Sequence, residues 1–174
     1  MEKIFYTEKY AFPTSISAVE KILNEYFGVY NVKINRTDNG KPYLENSSKR
    51  LFFSVSHTKT TLFIAFSDEN VGIDAESLDR KVDYVSILKK FPIEEREEIR
   101  STEIFLRHWT VRESAVKWLG GTLARELGKF SYVKGKLCYR QKELSVCVTT
   151  IVFQNHILSI CSERDFSNAE FILL

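Results

Sequence analysis

Proline, glycine and cysteine are all scarce in this chain of 174 residues, which has three prolines, seven glycines and three cysteines. So few breakers exclude a collagen-like or linker-rich chain and predict mostly regular structure. Cys138, Cys147 and Cys161 are odd in number and widely spaced, with no Cys-x-x-Cys pair. That excludes a zinc knuckle and a disulfide scaffold, and predicts buried reduced thiols in a reducing compartment. Long apolar runs are missing too. The longest, Leu62-Phe63-Ile64-Ala65-Phe66, is far short of the roughly 20 residues that span a bilayer. Charges at Glu2, Lys3, Glu8 and Lys9 interrupt the start before a signal-peptide core can form. A soluble, cytoplasmic protein is expected, with no membrane partner. Neither charge sign dominates: the net charge is +2, with a pI near 8.4 and no basic arm, so no nucleic-acid partner is expected. There is also no Gly-x-Gly-x-x-Gly, Walker loop or Gly-x-Ser-x-Gly elbow, which argues against dinucleotide enzymes, P-loop ATPases and α/β-hydrolases.

The residues that are present, 44% hydrophobic and 13% aromatic, exclude intrinsic disorder. A chain of this length can bury roughly two-thirds of its unfolded surface without metal or disulfides. The patterning predicts a strand at Lys3–Tyr6 and a helix carrying Val19, Ile22, Leu23, Tyr26 and Phe27, capped by Ser15 or Ser17 and stopped by Gly28. Strand text resumes at Val32–Ile34, turns at Asn39-Gly40 and continues through Tyr43-Leu44. Leu51–Ser56, Thr61–Phe66 and Asn70–Asp74 follow as strands. Val82, Val85, Ile87, Leu88 and Phe91 suggest a helix ended by Pro92, and Ile93–Arg100 a short acidic one. The clearest helix is Glu103–Leu119, closed by Gly120-Gly121, with Phe105, Trp109, Val116 and Leu119 as its apolar stripe. Strands are then expected at Phe130–Val133, Leu144–Phe153 and Ile157–Ser162, with an edge strand at Ala169–Leu174. This order predicts an α+β fold in two halves, 1–70 and 71–174.

Asp74 and Glu76 are two apart on strand text, so they share a face about 6.6 Å apart. Two such carboxylates repel unless a cation lies between them, and Mg²⁺ is a natural partner. On spacing alone they read first as a solvated strand end. Glu113 and Lys117 share a face of the long helix, either as a surface ion pair or as a third metal ligand beside a phosphate-binding lysine. His57 follows Ser56 at a strand end, and the two could form a donor cluster for phosphate or simply begin a loop. Lys41 follows the Asn39-Gly40 turn and reads as a hairpin tip. Glu94, Glu95, Glu97 and Glu98 suit a helix start through the macrodipole, and one of them could serve as a base. His57, His108 and His156 are too scattered to suggest a zinc enzyme.

The order of these pieces is more specific than any one of them. Gly40-Lys41-Pro42, Phe53-Ser54-Val55-Ser56-His57, Gly72-Ile73-Asp74-Ala75-Glu76, Phe91 with Glu95, and Trp109-Thr110-Val111-Arg112-Glu113-Ser114-Ala115-Val116-Lys117 follow one another. Together they resemble the 4′-phosphopantetheinyl transferases. The likeness is greatest to the surfactin-synthetase-activating branch, in which one chain contains two similar α+β halves in a pseudo-dimeric fold. Fewer than forty residues precede Asn39, so the N-terminal half reads as shortened.

The resemblance implies transfer of 4′-phosphopantetheine from coenzyme A to a serine of an apo acyl or peptidyl carrier protein, as in a holo-[acyl-carrier-protein] synthase. Adenosine 3′,5′-bisphosphate would be released. It further implies Mg²⁺ (or Mn²⁺) on Asp74, Glu76 and Glu113, Lys117 on the reacting phosphate, and Glu95 as base. Asp74, Lys41, Ser56 and His57 would lie on the coenzyme A side, in a monomer whose halves form both walls. Two rival readings remain: a carrier-binding module of this fold that has lost catalysis, and an unrelated Mg²⁺-dependent phosphodiesterase using the same acids.

Overall fold

The computed structural model describes residues 2–47 and 49–174. Strand β1 (Lys3–Glu8) leads to helix α1 (Ser15–Glu25). Thr14 caps α1, its hydroxyl accepting from the Ser17 N–H at 3.1 Å while the Ser17 hydroxyl accepts from the Thr14 N–H. The buried face of α1, with Ala18, Val19, Ile22 and Leu23, packs on Phe5, Leu62, Ile64 and Phe66. A hairpin of β2 (Lys33–Arg36) and β3 (Pro42–Glu45) follows, then β4 (Phe52–His57) and β5 (Thr61–Ser67).

Strand β6 (Val71–Ser77) opens the second part. Short helices α2 (Tyr84–Leu88) and α3 (Ile93–Glu98) lead to the long helix α4 (Thr102–Leu119). Ser101 caps α4, accepting from the Ile104 N–H at 3.2 Å, and Gly120 ends it in the left-handed region at φ 74°. After α5 (Leu123–Glu126) come β7 (Phe130–Val133), β8 (Lys136–Tyr139) and the two-residue β9 (Lys142–Glu143). The hairpin β10 (Cys147–Phe153) and β11 (His156–Ser162) and the last strand β12 (Glu170–Leu173) complete the chain.

The mixed α+β expectation holds, and the strand order is informative. The first sheet contains β1-β5-β4 and the second β6-β11-β10, all antiparallel pairs. In each case the opening strand pairs with the last strand of a later hairpin. Helix α1 covers the first sheet, and α4 lies across β6 and β11 of the second. The two sheets meet where β6 runs beside β4. No backbone ladder joins these strands. Instead the Ile73 and Ala75 N–H groups donate to the hydroxyls of Ser54 and Ser56, each at 3.1 Å. Alternate residues of β4 thereby satisfy alternate outward N–H groups of an otherwise open edge.

Several expectations change. The chain does not divide cleanly at residue 70, because β12 returns to pair in parallel with β1. Of the 82–91 segment only Tyr84–Leu88 is helical, and that helix buries no side chain, whereas Phe91 beyond it is buried. Strand β10 starts at Cys147 rather than Leu144. Strands β8 and β9 were not anticipated: Arg140 and Gln141 make the turn between them at φ 49° and 66°, a conformation that Asn-Gly normally signals. Leu119 is exposed and so drops from the α4 stripe, while α4 also buries His108, Thr110, Arg112 and Ser114. Cys161 is buried, but Cys138 is only half-buried and Cys147 is exposed. No helix among the described residues is long and apolar enough to cross a membrane.

Candidate active site

Strand β6 and helix α4 pack closely enough that only glycine fits at position 72. A Cβ there would lie 2.0 Å from the Ser114 carbonyl oxygen and 2.4 Å from the Trp118 nitrogen, both backbone atoms of α4. This close approach lays one stripe of α4, with Trp109, Glu113 and Lys117 spaced four apart, over Asp74.

Asp74 is 4% exposed. Its Oδ1 accepts from Lys117 Nζ at 2.7 Å and from the Ser56 hydroxyl at 2.9 Å. Lys117 Nζ also donates to the Ile73 carbonyl at 2.9 Å, which fixes its ammonium over the strand. Asp74 Oδ2 is buried and has no hydrogen-bond partner among the described residues. Such an orphaned carboxylate oxygen is costly unless a cation or donor completes it.

Glu113 lies beside this group. Burial, then the neighbouring Asp74 charge, pushes its carboxyl up to about 7, opposed by Lys117 and Arg80. The Trp109 indole nearby also opposes that rise. Glu76 instead pairs with Arg80. Among the described residues, no three acids, histidines or cysteines form a ready-made metal cage. The structure thus brings Asp74, Glu113 and Lys117 together but turns Glu76 to a cation of the chain. The physical reason is mutual repulsion: carboxylates this close need counter-charge, and Lys117 and Arg80 supply it to Asp74 and Glu76.

Lys117 also lines a cleft of about 310 Å³, together with Ser15, Arg36, Lys41, His57 and Gly120. His57 is exposed and stands between this cleft and a second one of about 830 Å³, bounded by Lys9, Lys59, Glu76, Arg80, Lys81 and His156. His57 is therefore free to meet an anion. Two other expected phosphate contacts are committed elsewhere. The Ser56 hydroxyl is spent on Asp74 and Ala75. Lys41 Nζ donates to the Trp118 carbonyl at 2.9 Å and to Asn70 Oδ1 at 2.5 Å, tying the end of α4 to the β2–β3 turn. Burial lowers the Lys41 pKa to about 8. Lys41 reaches the cleft only as part of its wall.

Glu95 sits in a different cluster. It is 0% exposed. Arg112 Nη1 donates to its Oε2 at 2.7 Å, the Tyr132 N–H donates to the same oxygen at 3.1 Å, and His108 Nδ1 lies 3.1 Å from Oε1. Arg112 stacks over Phe91, its guanidinium carbon 4.0 Å from the ring centroid. Arg112 and Glu113 are neighbours in sequence, but a helix turns about 100° per residue, so they point to different faces. A protein serine has no access to a fully buried carboxylate. The base expected at Glu95 is, in this structure, the buried counter-ion of Arg112. No pattern in the sequence points to a role for Arg36, Arg80 or Arg112.

The family comparison agrees with the geometry. Residues 70–161, just over half the chain, match the 4′-phosphopantetheinyl transferase superfamily, and the chain belongs to that superfamily. It is 32% identical over 119 residues to the 4′-phosphopantetheinyl transferase HetI of Nostoc sp. (strain PCC 7120 / SAG 25.82 / UTEX 2576). That match covers 62% of this chain and 50% of HetI, so the chain spans about half the length of its relative. The matched segment contains Asp74, Glu76, Glu95, Glu113 and Lys117, whereas Lys41, Ser56 and His57 lie before it.

Proposed function

We propose that the protein transfers 4′-phosphopantetheine from coenzyme A to a serine of an apo acyl or peptidyl carrier protein, releasing adenosine 3′,5′-bisphosphate. One observation supports this most: Lys117 joins the buried Asp74 and the half-buried Glu113 beside it to a cleft whose other side-chain cations come from β4 and the β2–β3 hairpin. The recurrent strand order supports a pseudo-dimeric reading of two similar halves meeting at β4 and β6, as in the surfactin-synthetase-activating branch. In that arrangement a monomer supplies both walls.

The acids fit a hard divalent cation. All the donors are carboxylate oxygens, and the buried Asp74 Oδ2 lacks a partner among the described residues. Asp74 and Glu113 would hold Mg²⁺ (or Mn²⁺), joined by Glu76 once Arg80 releases it. Bound there, the ion would neutralise charge on the coenzyme A pyrophosphate. Lys117 orients and neutralises the phosphate under attack, and His57 supplies a donor at the cleft mouth. The serine oxygen forms the new bond to phosphorus as the bond to adenosine bisphosphate breaks. Its proton needs an acceptor within reach. Glu95 is closed off and Glu113 would be taken up by the ion, which leaves water in the open cleft as the acceptor within reach. The positioning of reactants and the stabilisation of charge provide most of the catalysis in such transfers.

The test is transfer itself. Incubation with radiolabelled coenzyme A, Mg²⁺ and an apo carrier should label the carrier serine. Label released as free phosphopantetheine would identify a phosphodiesterase instead. Coenzyme A binding without either product would identify a binding module.

A further inference from the structure

Ser54 and Ser56 occupy equivalent places on β4, and each hydroxyl accepts one N–H of β6 at the same distance. Only Ser56 does more: its hydroxyl proton goes to Asp74 Oδ1 at 2.9 Å. A hydroxyl that accepts from the Ala75 N–H has its rotation fixed, and its one proton is then aimed at the carboxylate. Oδ1 thus receives Ser56 from one sheet and Lys117 from α4. The carboxylate cannot rotate without breaking one of these bonds, so Oδ2 is held with no partner among the described residues.

We infer that Ser56 is a positioning residue for the divalent cation. It acts through Asp74, holding Oδ1 so that Oδ2 is presented to the ion. This rests on the proposed metal-dependent reading and departs from the expectation that Ser56 touches coenzyme A. It also means that the first sheet, whose strand β4 lines one side of the cleft, sets the geometry of an ion held by the second. Residues that orient a metal ligand typically change affinity by about 10–100-fold when removed.

Mn²⁺ binding, followed by electron paramagnetic resonance, tests the inference without relying on activity. Ser56→Ala should weaken Mn²⁺ binding by about 10-fold or more. In a transfer assay its apparent KM for metal should rise, with kcat largely recovered at saturating metal and KM for coenzyme A unchanged. Ser54→Ala cuts the same kind of seam bond without touching Asp74, and should leave Mn²⁺ affinity within about twofold of wild type, against the 10-fold scale expected for a lost orienting bond. Ser56→Cys keeps the side chain's bulk with a poorer donor and should resemble Ser56→Ala, which covers the case in which the alanine variant folds poorly. Equal losses in the Ser54 and Ser56 variants would overturn the inference, because the seam alone would explain them. So would unchanged Mn²⁺ affinity in Ser56→Ala, or a raised KM for coenzyme A with metal binding intact. If wild type binds no Mn²⁺, the metal-dependent reading fails and takes this inference with it. Loss confined to the Ser56 variants cannot arise that way.

Discussion

Gly72→Ala should damage stability and chemistry together, because one close contact underlies both. The added Cβ would lie 2.0 Å from Ser114 O and 2.4 Å from Trp118 N, whereas real Cβ atoms do not approach within 3.0 Å. Both obstacles are helix backbone, so no side-chain rotation relieves them, and α4 must move away from β6 by about 1 Å or more. Overpacking of a filled interior costs about 1–3 kcal/mol, and a backbone clash belongs at the upper end. For a domain of this size, about 3 kcal/mol lowers Tm by roughly 6–12 °C. The same displacement stretches the 2.7 Å Lys117–Asp74 contact and shifts Glu113. A misplacement of about 1 Å at reacting groups can cost about 10²-fold in rate. The assay pairs thermal unfolding by circular dichroism with transfer measured well below the variant's Tm. Gly128→Ala is the control, since nothing lies within 4 Å of its added Cβ. It should be neutral or slightly stabilising. If Gly72→Ala unfolds at the wild-type temperature and transfers at the wild-type rate, the packing argument is wrong.

Three other outcomes are expected. Lys117→Met should retain the fold but lose about 10²-fold or more in kcat, on the scale of removing one charge-stabilising donor, as single-turnover kinetics would show. Glu95→Ala strands Arg112 as a buried cation and should destabilise by about 3–5 kcal/mol in urea titrations, with less added harm when combined with Arg112→Met. A Glu95→Gln variant of native stability with a large loss of rate would instead restore the base role. Lys41 has a folded pKa of about 8 against an ordinary 10.5, so between those values the unfolded chain retains a proton that the folded one has lost. Its contribution makes stability rise with pH across that window. In Lys41→Met that rise should disappear from the difference in urea midpoints, and an unchanged difference would show that burial does not govern Lys41.

The order of the motifs, more than the spacing within any one of them, made the core of the site legible. The i, i+2 and i, i+4 rules put Asp74 on a strand face and Glu113 with Lys117 on a helix face, and the structure brings these three together. Periodicity could not say which counter-charge each acid finds. Glu76 meets Arg80 four residues on, and Glu95 meets Arg112 across a helix contact that no local pattern encodes. The acidic text around Glu95 reads as a solvated helix start, yet one of its four glutamates is the most deeply buried carboxylate of the site region. Ser56 reads as a phosphate donor beside His57, and Ser54 as one more residue of the strand. Their role appears only when β6 arrives with unpaired N–H groups. The return of β12 to β1 was equally hidden, because pairing partners are set by topology rather than by the strand's own sequence.

The central claim is tested most directly by the intact mass of an apo carrier protein after incubation with this protein, coenzyme A and Mg²⁺. The account predicts a mass increase equal to one 4′-phosphopantetheine on a single serine, dependent on the metal and lost in Lys117→Met. A carrier whose mass stays unchanged across acyl and peptidyl types, with the protein folded and coenzyme A bound, would contradict it.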